Sequence, residues 1–189
     1  MSIKLLIGLG NPGAQYTFTR HNAGQWFIEM LAKKYNATFK IDKKFQADLA
    51  IIDHADCPCR LVMPLSFMNL SGTSIRLLSE FYKISADEII VIHDELDLPA
   101  GTIRLKSGGG HGGHNGLRDI MSQLASNAFH RLRIGIGHPG HKELVANYVL
   151  TRPSQAEREQ ITTAITQAVE IIPTLFKTGL AAAMNSLNR

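Results

Sequence analysis

The sequence predicts one α/β domain, a twisted mixed sheet, largely parallel, with helices on both faces. Short apolar runs of strand length alternate with stretches whose apolar residues recur at helical spacing. The 189 residues suffice for one ordinary domain with a substantial core and are marginal for two. No internal repeat, low-complexity tract or linker-like run divides them, so residues 1–189 are expected to fold as one unit.

In chain order, "IKLLIG" at residues 3–8 reads as a buried strand. From Ala23 to Lys34 the apolar positions Ala23, Trp26, Phe27, Met30 and Leu31 mark one helix face. Ala47–Ile52 and Arg60–Met63 are strand-like, and Ile75, Leu78 and Tyr82 lie on a second amphipathic helix. Ser85 and Glu88 have capping-box spacing, although the run "IIVIH" directly after them reads as a strand. Thr102–Lys106 and Arg131–Ile136 are further strands, flanking a helix with Leu117, Ile120, Met121 and Leu124 on one side. The last third is helical. It opens on a Ser154–Glu157 capping box, carries Ile161, Ile165, Ala168 and Ile172 on one stripe, and should bend or end at Pro173.

Composition narrows the class. With 44% apolar and 19% charged residues the chain is expected to be globular rather than disordered. The apolar opening is too short for a secretory signal and is interrupted by Asn11-Pro12. No run approaches the roughly 20 apolar residues of a membrane span, so a cytoplasmic place and no membrane partner are expected. Cys57 and Cys59 flank Pro58, too close to bridge without strain and without a second pair for zinc; they read as two reduced structural thiols. The net charge of +4 and the run of Arg104, Lys106, Arg118, Arg131 and Arg133 suit an anionic partner or an ordinary solvated surface.

Polar residues unsuited to a core gather in loops after the predicted strands: "GNPGAQYTFTRHNAG", "MPLSFMNLSG", "VIHDELDLPAG", "SGGGHGGHNG" and "GIGHPG". The spacing of Gly8, Gly10 and Gly13 matches a dinucleotide fingerprint. However, Pro12 interrupts it, helical periodicity waits until His21–Ala23, and the acidic ribose contact is missing. "GGGHGGHNG" lacks the Gly-Lys-Ser/Thr ending of a phosphate loop. A metal held by His111 and His114 with His93, His138 or His141 would need ordered elements, and a glycine-rich loop is a poor cage; no metal is expected.

His21 and Asp94 are the more productive pair. A histidine titrates where a general base is useful, and an aspartate on its other ring nitrogen fixes the tautomer. Without contact between them they would be a helix-start histidine and a turn aspartate. Asn11, Asn69 and Asn115 are ordinary cap or turn formers, or else three amides converging to hold a carbonyl and a developing oxyanion. No serine or cysteine sits in a nucleophile elbow, so direct attack by water is expected.

These loops, together and in order, resemble the bacterial peptidyl-tRNA hydrolases: "GLGNPGAQYTFTRHNAG", "FMNLSG", "HDELDLP", "GGHNGLRDI" and "RLRIGIGHP", from Leu5 to about Pro139. The stretch Asn36–Arg60 and the C-terminal helices add little. The resemblance implies a monomeric α/β enzyme, without cofactor or obligate protein partner, that cleaves the ester between a peptide and the 3′ end of a tRNA. By motif position His21 resembles the catalytic base, Asp94 its activating carboxylate, and Asn11 the oxyanion or water-positioning donor. Asn69 and Asn115 match substrate-binding asparagines. Tyr16, Phe67 and His114 match residues lining the peptide or 3′-end part of the cleft, with core packing the alternative for Phe67. Lys106 and Arg133 match the basic pair associated with the tRNA 5′-phosphate; His111 is given no role. Two other classes remain at this level: a non-catalytic RNA-binding module using the same cleft, and a nucleotide-dependent oxidoreductase using the Gly8–Gly13 loop.

Overall fold

The computed structural model describes residues 2–53 and 58–188. Its strands are β1 (Leu5–Gly8), β2 (Lys40–Asp42), β3 (Ala47–Ile52), β4 (Cys59–Pro64), β5 (Ile89–Glu95), β6 (Ile103–Ser107) and β7 (His130–Gly135). Its helices are α1 (Ala23–Lys34), α2 (Gly72–Tyr82), α3 (Asn115–Leu124), α4 (Val145–Val149), α5 (Gln155–Thr178) and α6 (Leu180–Leu187). The strands form one seven-stranded sheet in the order β2-β3-β4-β1-β5-β7-β6. β4, β1, β5 and β7 run parallel at the centre, and β3, β2 and β6 add antiparallel edges.

The uninterrupted apolar character of β1 and β5 follows from cover on both faces. On one face Leu6, Ile90, Ile92, Leu132 and Ile134 pack with Phe27 and Leu31 of α1 and with Ile165 and Ile172 of α5. On the other, Leu5, Ile7, Ile89 and Val91 pack with Ile75 and Leu78 of α2 and Leu117 and Ile120 of α3. The mixed sheet with helices on both faces is thus as expected from the sequence. The edge strand β2 was not foreseen; three residues with Ile41 exposed carry no readable period.

Ser85 and Glu88 do form a capping box, closed around a single 3-10 turn, after which β5 begins at once. Pro173 does not end its helix: α5 continues to Thr178, because Ile172 and Leu175 on either side of it are buried in the same core. Cys59 is buried in β4, whereas Cys57 lies outside the described residues.

Helix α1 lies unusually close to the sheet. A Cβ built on Gly24 would stand 2.3 Å from the Ile92 carbonyl oxygen and 2.6 Å from the Leu9 nitrogen, and one on Gly8 would stand 2.5 Å from the Gly24 oxygen. Backbone meets backbone there, which no larger residue permits. The contact fixes the start of α1 over the carboxyl ends of β1 and β5, where ligands sit in parallel sheets.

Candidate active site

The chain leaving β1 turns through a 3-10 turn, Arg20–Asn22, directly before α1. Arg20 is buried and anchors this turn. Its Nη1 donates to Thr151 Oγ1 (2.7 Å) and to the carbonyls of Tyr148 and Arg152, its Nη2 pairs with Glu157 (2.9 Å), and the guanidinium lies 4.0 Å from the Tyr148 ring centre. The turn that carries His21 is therefore tied to the α4–α5 junction.

His21 Nδ1 lies 2.9 and 3.0 Å from the two oxygens of Asp94, at the end of β5. His114 Nε2 lies 3.0 Å from Oδ1 of the same carboxylate. Burial of Asp94 would raise its pKa, but the two histidines outweigh that and hold the carboxyl far below the usual range. An ionised carboxylate only accepts, so both ring nitrogens donate. For His21 burial opposes the charged form, yet the facing Asp94 charge and hydrogen bond win, and its pKa is raised above 6.5. When His21 is neutral, Nδ1 carries the proton and Nε2 carries the lone pair.

His114 is held from its other side. Its Nδ1 accepts from the N–H groups of Gly116 (3.2 Å) and Leu117 (3.4 Å), making it the N-cap of α3. The motif that pointed to a cleft-lining His114 gave no hint of this bond to Asp94, which depends on a residue twenty positions away.

Asn11 is buried and fixed at three points. Its backbone N–H donates to Asn22 Oδ1 (2.9 Å), its carbonyl accepts from Asn22 Nδ2 (3.0 Å), and its Oδ1 accepts from the Met68 N–H (2.8 Å). Sequence reasoning missed Asn22 and Arg20, although both flank His21 in "RHNAG"; one resembles a helix-start residue and the other a surface cation.

Two cavities meet at His21. The larger, about 750 Å³, is lined by Asn11, Tyr16, Phe67, Asn69, Asn115 and Leu150 among others. Tyr16 and Phe67 meet edge to face, with ring centres 6.2 Å apart. Phe67 is 52% exposed, so it belongs to the cleft rather than the core. Asn69 stands exposed on a 3-10 turn after β4, and Asn115 opens α3 with its Oδ1 accepting from Arg118. The second cavity, about 560 Å³, is walled by His114, Lys106, Arg131, Arg133 and Lys142. Across β6 and β7 the register sets Arg104 opposite Arg133 and Lys106 opposite Arg131, so these cations share one face. Arg133 Nε pairs with Glu95 (2.8 Å), while Lys106 forms no ion pair among the described residues.

Among the described residues one group, His21, Asp94 and His114, has ligand atoms within 4.8 Å of one another. Those atoms are spent on the two hydrogen bonds to Asp94. Freeing His114 Nε2 for a metal would put its proton on Nδ1, against two helix N–H groups. Next to them His93 is buried, its Nδ1 2.7 Å from the Asp94 carbonyl, and burial together with the neighbouring His114 lowers its pKa to about 3. It stays neutral and adds no charge beside Asp94.

The whole chain is similar to known proteins. The family model described as peptidyl-tRNA hydrolase matches residues 5–189. The chain is 60% identical over 188 residues to the peptidyl-tRNA hydrolase of Legionella pneumophila strain Corby, covering all of both chains. It is 53% identical to that of Haemophilus influenzae strain 86-028NP, covering 98% of this chain and 96% of the relative. The crystal structure of peptidyl-tRNA hydrolase from Acinetobacter baumannii superposes with a TM-score of 0.95 at 48% identity, over 98% of this chain and 94% of that one. No described helix is long and apolar enough to cross a membrane. On these matches and this site, the chain belongs to the peptidyl-tRNA hydrolase family.

Proposed function

We infer that the reaction of this family, cleavage of the ester between a peptide and the 3′ end of a tRNA, runs here by direct attack of water with His21 as general base. One observation carries the reading. Asp94 takes the Nδ1 proton side of His21, leaving the Nε2 lone pair at the junction of the two cavities. Water gives a proton to Nε2 as its oxygen bonds to the ester carbon. The buried Asp94 carboxylate stabilises the imidazolium. As the tetrahedral intermediate collapses, the imidazolium returns that proton to the departing ribose oxygen, giving free tRNA and a peptide carboxylic acid, which loses its remaining proton to solvent.

Asn11 is the donor we assign to the developing oxyanion or the attacking water, since its Oδ1 is engaged by Met68 and its amide N–H groups are the end left to work. Asn69, Asn115, Tyr16 and Phe67 line the cavity we give to the peptide and the ester-linked residue. Lys106 and Arg133 stand where a terminal tRNA phosphate would be met, on the side of the second cavity. His114 acts through Asp94 and needs no direct substrate contact. A monomer in the cytoplasm fits this role.

The test is release of label from a peptidyl-tRNA by purified protein, with and without excess chelator, beside His21→Ala. Hydrolysis by the wild type that persists in chelator and vanishes in the folded variant is expected. Tight tRNA binding with the ester left intact would replace this reading with that of a non-catalytic RNA-binding module.

A further inference from the structure

Two chain segments that line the larger cavity lead directly into a cluster of cations and aromatic rings. Tyr16 and Leu150 face that cavity. Two positions further along each segment stand Phe18 and Arg152, with the Arg152 guanidinium 5.2 Å from the Phe18 ring centre. Arg158 of α5 lies 4.9 Å from the same ring and 5.5 Å from that of Trp26. Phe18 is 41% exposed, and both arginines are exposed.

The cluster is rigidly seated. The Arg20 N–H donates to the Thr151 carbonyl (3.1 Å), Arg20 Nη1 donates to the Arg152 carbonyl (3.1 Å), and Trp26 Nε1 donates to the Thr17 carbonyl (2.7 Å). Yet its charge is uncompensated. Neither Arg152 nor Arg158 forms an ion pair among the described residues. The nearby Glu157 is committed to Arg20 and to the Ser154 N–H, and Glu159 accepts from Gln155. Two guanidiniums without an ion pair, beside an exposed aromatic ring, have the chemistry to take a carboxylate.

Which anion sits there follows from place. Lys106, Arg131, Arg133 and Lys142 are gathered around the second cavity, whereas Arg118 is the one lysine or arginine lining the larger cavity among the described residues. The polyanionic tRNA suits the former side, which leaves the peptide on the latter. We propose that Phe18, Arg152 and Arg158 form a distal subsite for an acidic side chain of the peptidyl moiety, upstream of the ester-linked residue. This rests on the hydrolase reading above.

The experiment uses N-blocked tri- to hexapeptidyl-tRNAs on one tRNA, with Glu, Gln or Lys scanned through the peptide, and measures kcat/KM at low salt. The wild type should prefer Glu over Gln at one position by about three- to tenfold, mainly through KM. Arg152→Gln/Arg158→Gln should erase that preference, and Arg152→Glu/Arg158→Glu should turn it toward Lys, with fold checked by circular dichroism. Equal rates for Glu, Gln and Lys at every position would overturn the subsite, as would a preference surviving in the Gln variant. A uniform loss across all peptides would reassign the arginines to the tRNA backbone. A wild type that binds these tRNAs but cleaves none would sink the hydrolase reading and this subsite with it.

Discussion

The Met68 N–H donates to Asn11 Oδ1 at 2.8 Å, and that bond decides which end of the Asn11 amide is left over. The carbonyl is engaged by the chain after β4, so the NH₂ remains. Asn11→Asp keeps the acceptor for Met68 and removes both donors. We expect a fall in kcat of about 10²–10³-fold with little change in KM or melting temperature. Steady-state kinetics on a peptidyl-tRNA will show it; an unchanged kcat would remove Asn11 from the oxyanion.

His21→Ala removes the proposed base while the backbone clamp through Arg20 stays. Turnover should fall by about 10²–10⁴-fold in a protein whose circular dichroism matches the wild type. Residual hydrolysis near the wild-type rate would mean that another group accepts the proton of water.

The pH profile carries a sign. His21 has its pKa raised by Asp94, and the proposed base can take a proton only when neutral, so kcat/KM should rise with pH through an inflection above 6.5. Asp94→Asn removes the facing charge but not the burial, which opposes protonation. Its inflection should move to lower pH while the plateau rate drops. A profile that keeps its inflection in Asp94→Asn would break the assigned coupling.

His114→Ala combines two losses, one hydrogen bond to Asp94 and the cap of α3. Losing a cap costs about 1 kcal/mol, or roughly 2–4 °C in melting temperature for a chain of this size. Activity should fall further than that, because the carboxylate loses a partner that holds its rotamer. His114→Asn should restore much of the melting temperature, asparagine being a good cap, without restoring kcat.

Much of the fold was legible because strands covered on both faces read as uninterrupted apolar runs and α1, α3 and α5 show a clean period. That His21 and Asp94 could meet was legible because both sit in loops or strand ends on one side of a parallel sheet; that they touch came only with the structure. What stayed hidden was identity by contact. Asn22 looks like any helix-start residue, yet it holds both backbone groups of Asn11. Arg20 looks like surface charge and is buried. Pro173 carries a real backbone penalty, and neighbours in a shared core outweigh it.

The glycine contact between α1 and the sheet sets the mechanical tolerance of the proposed site. With Gly24 and Gly8 touching backbone, His21 is positioned by main-chain atoms that no rotamer can relax. A single methyl at Gly24 must lift the helix start, and a shift of about 1 Å at a reacting group can cost on the order of 10²-fold in rate. The clearance at that contact is one hydrogen atom wide, and it lies between α1 and the sheet rather than in either cavity lining.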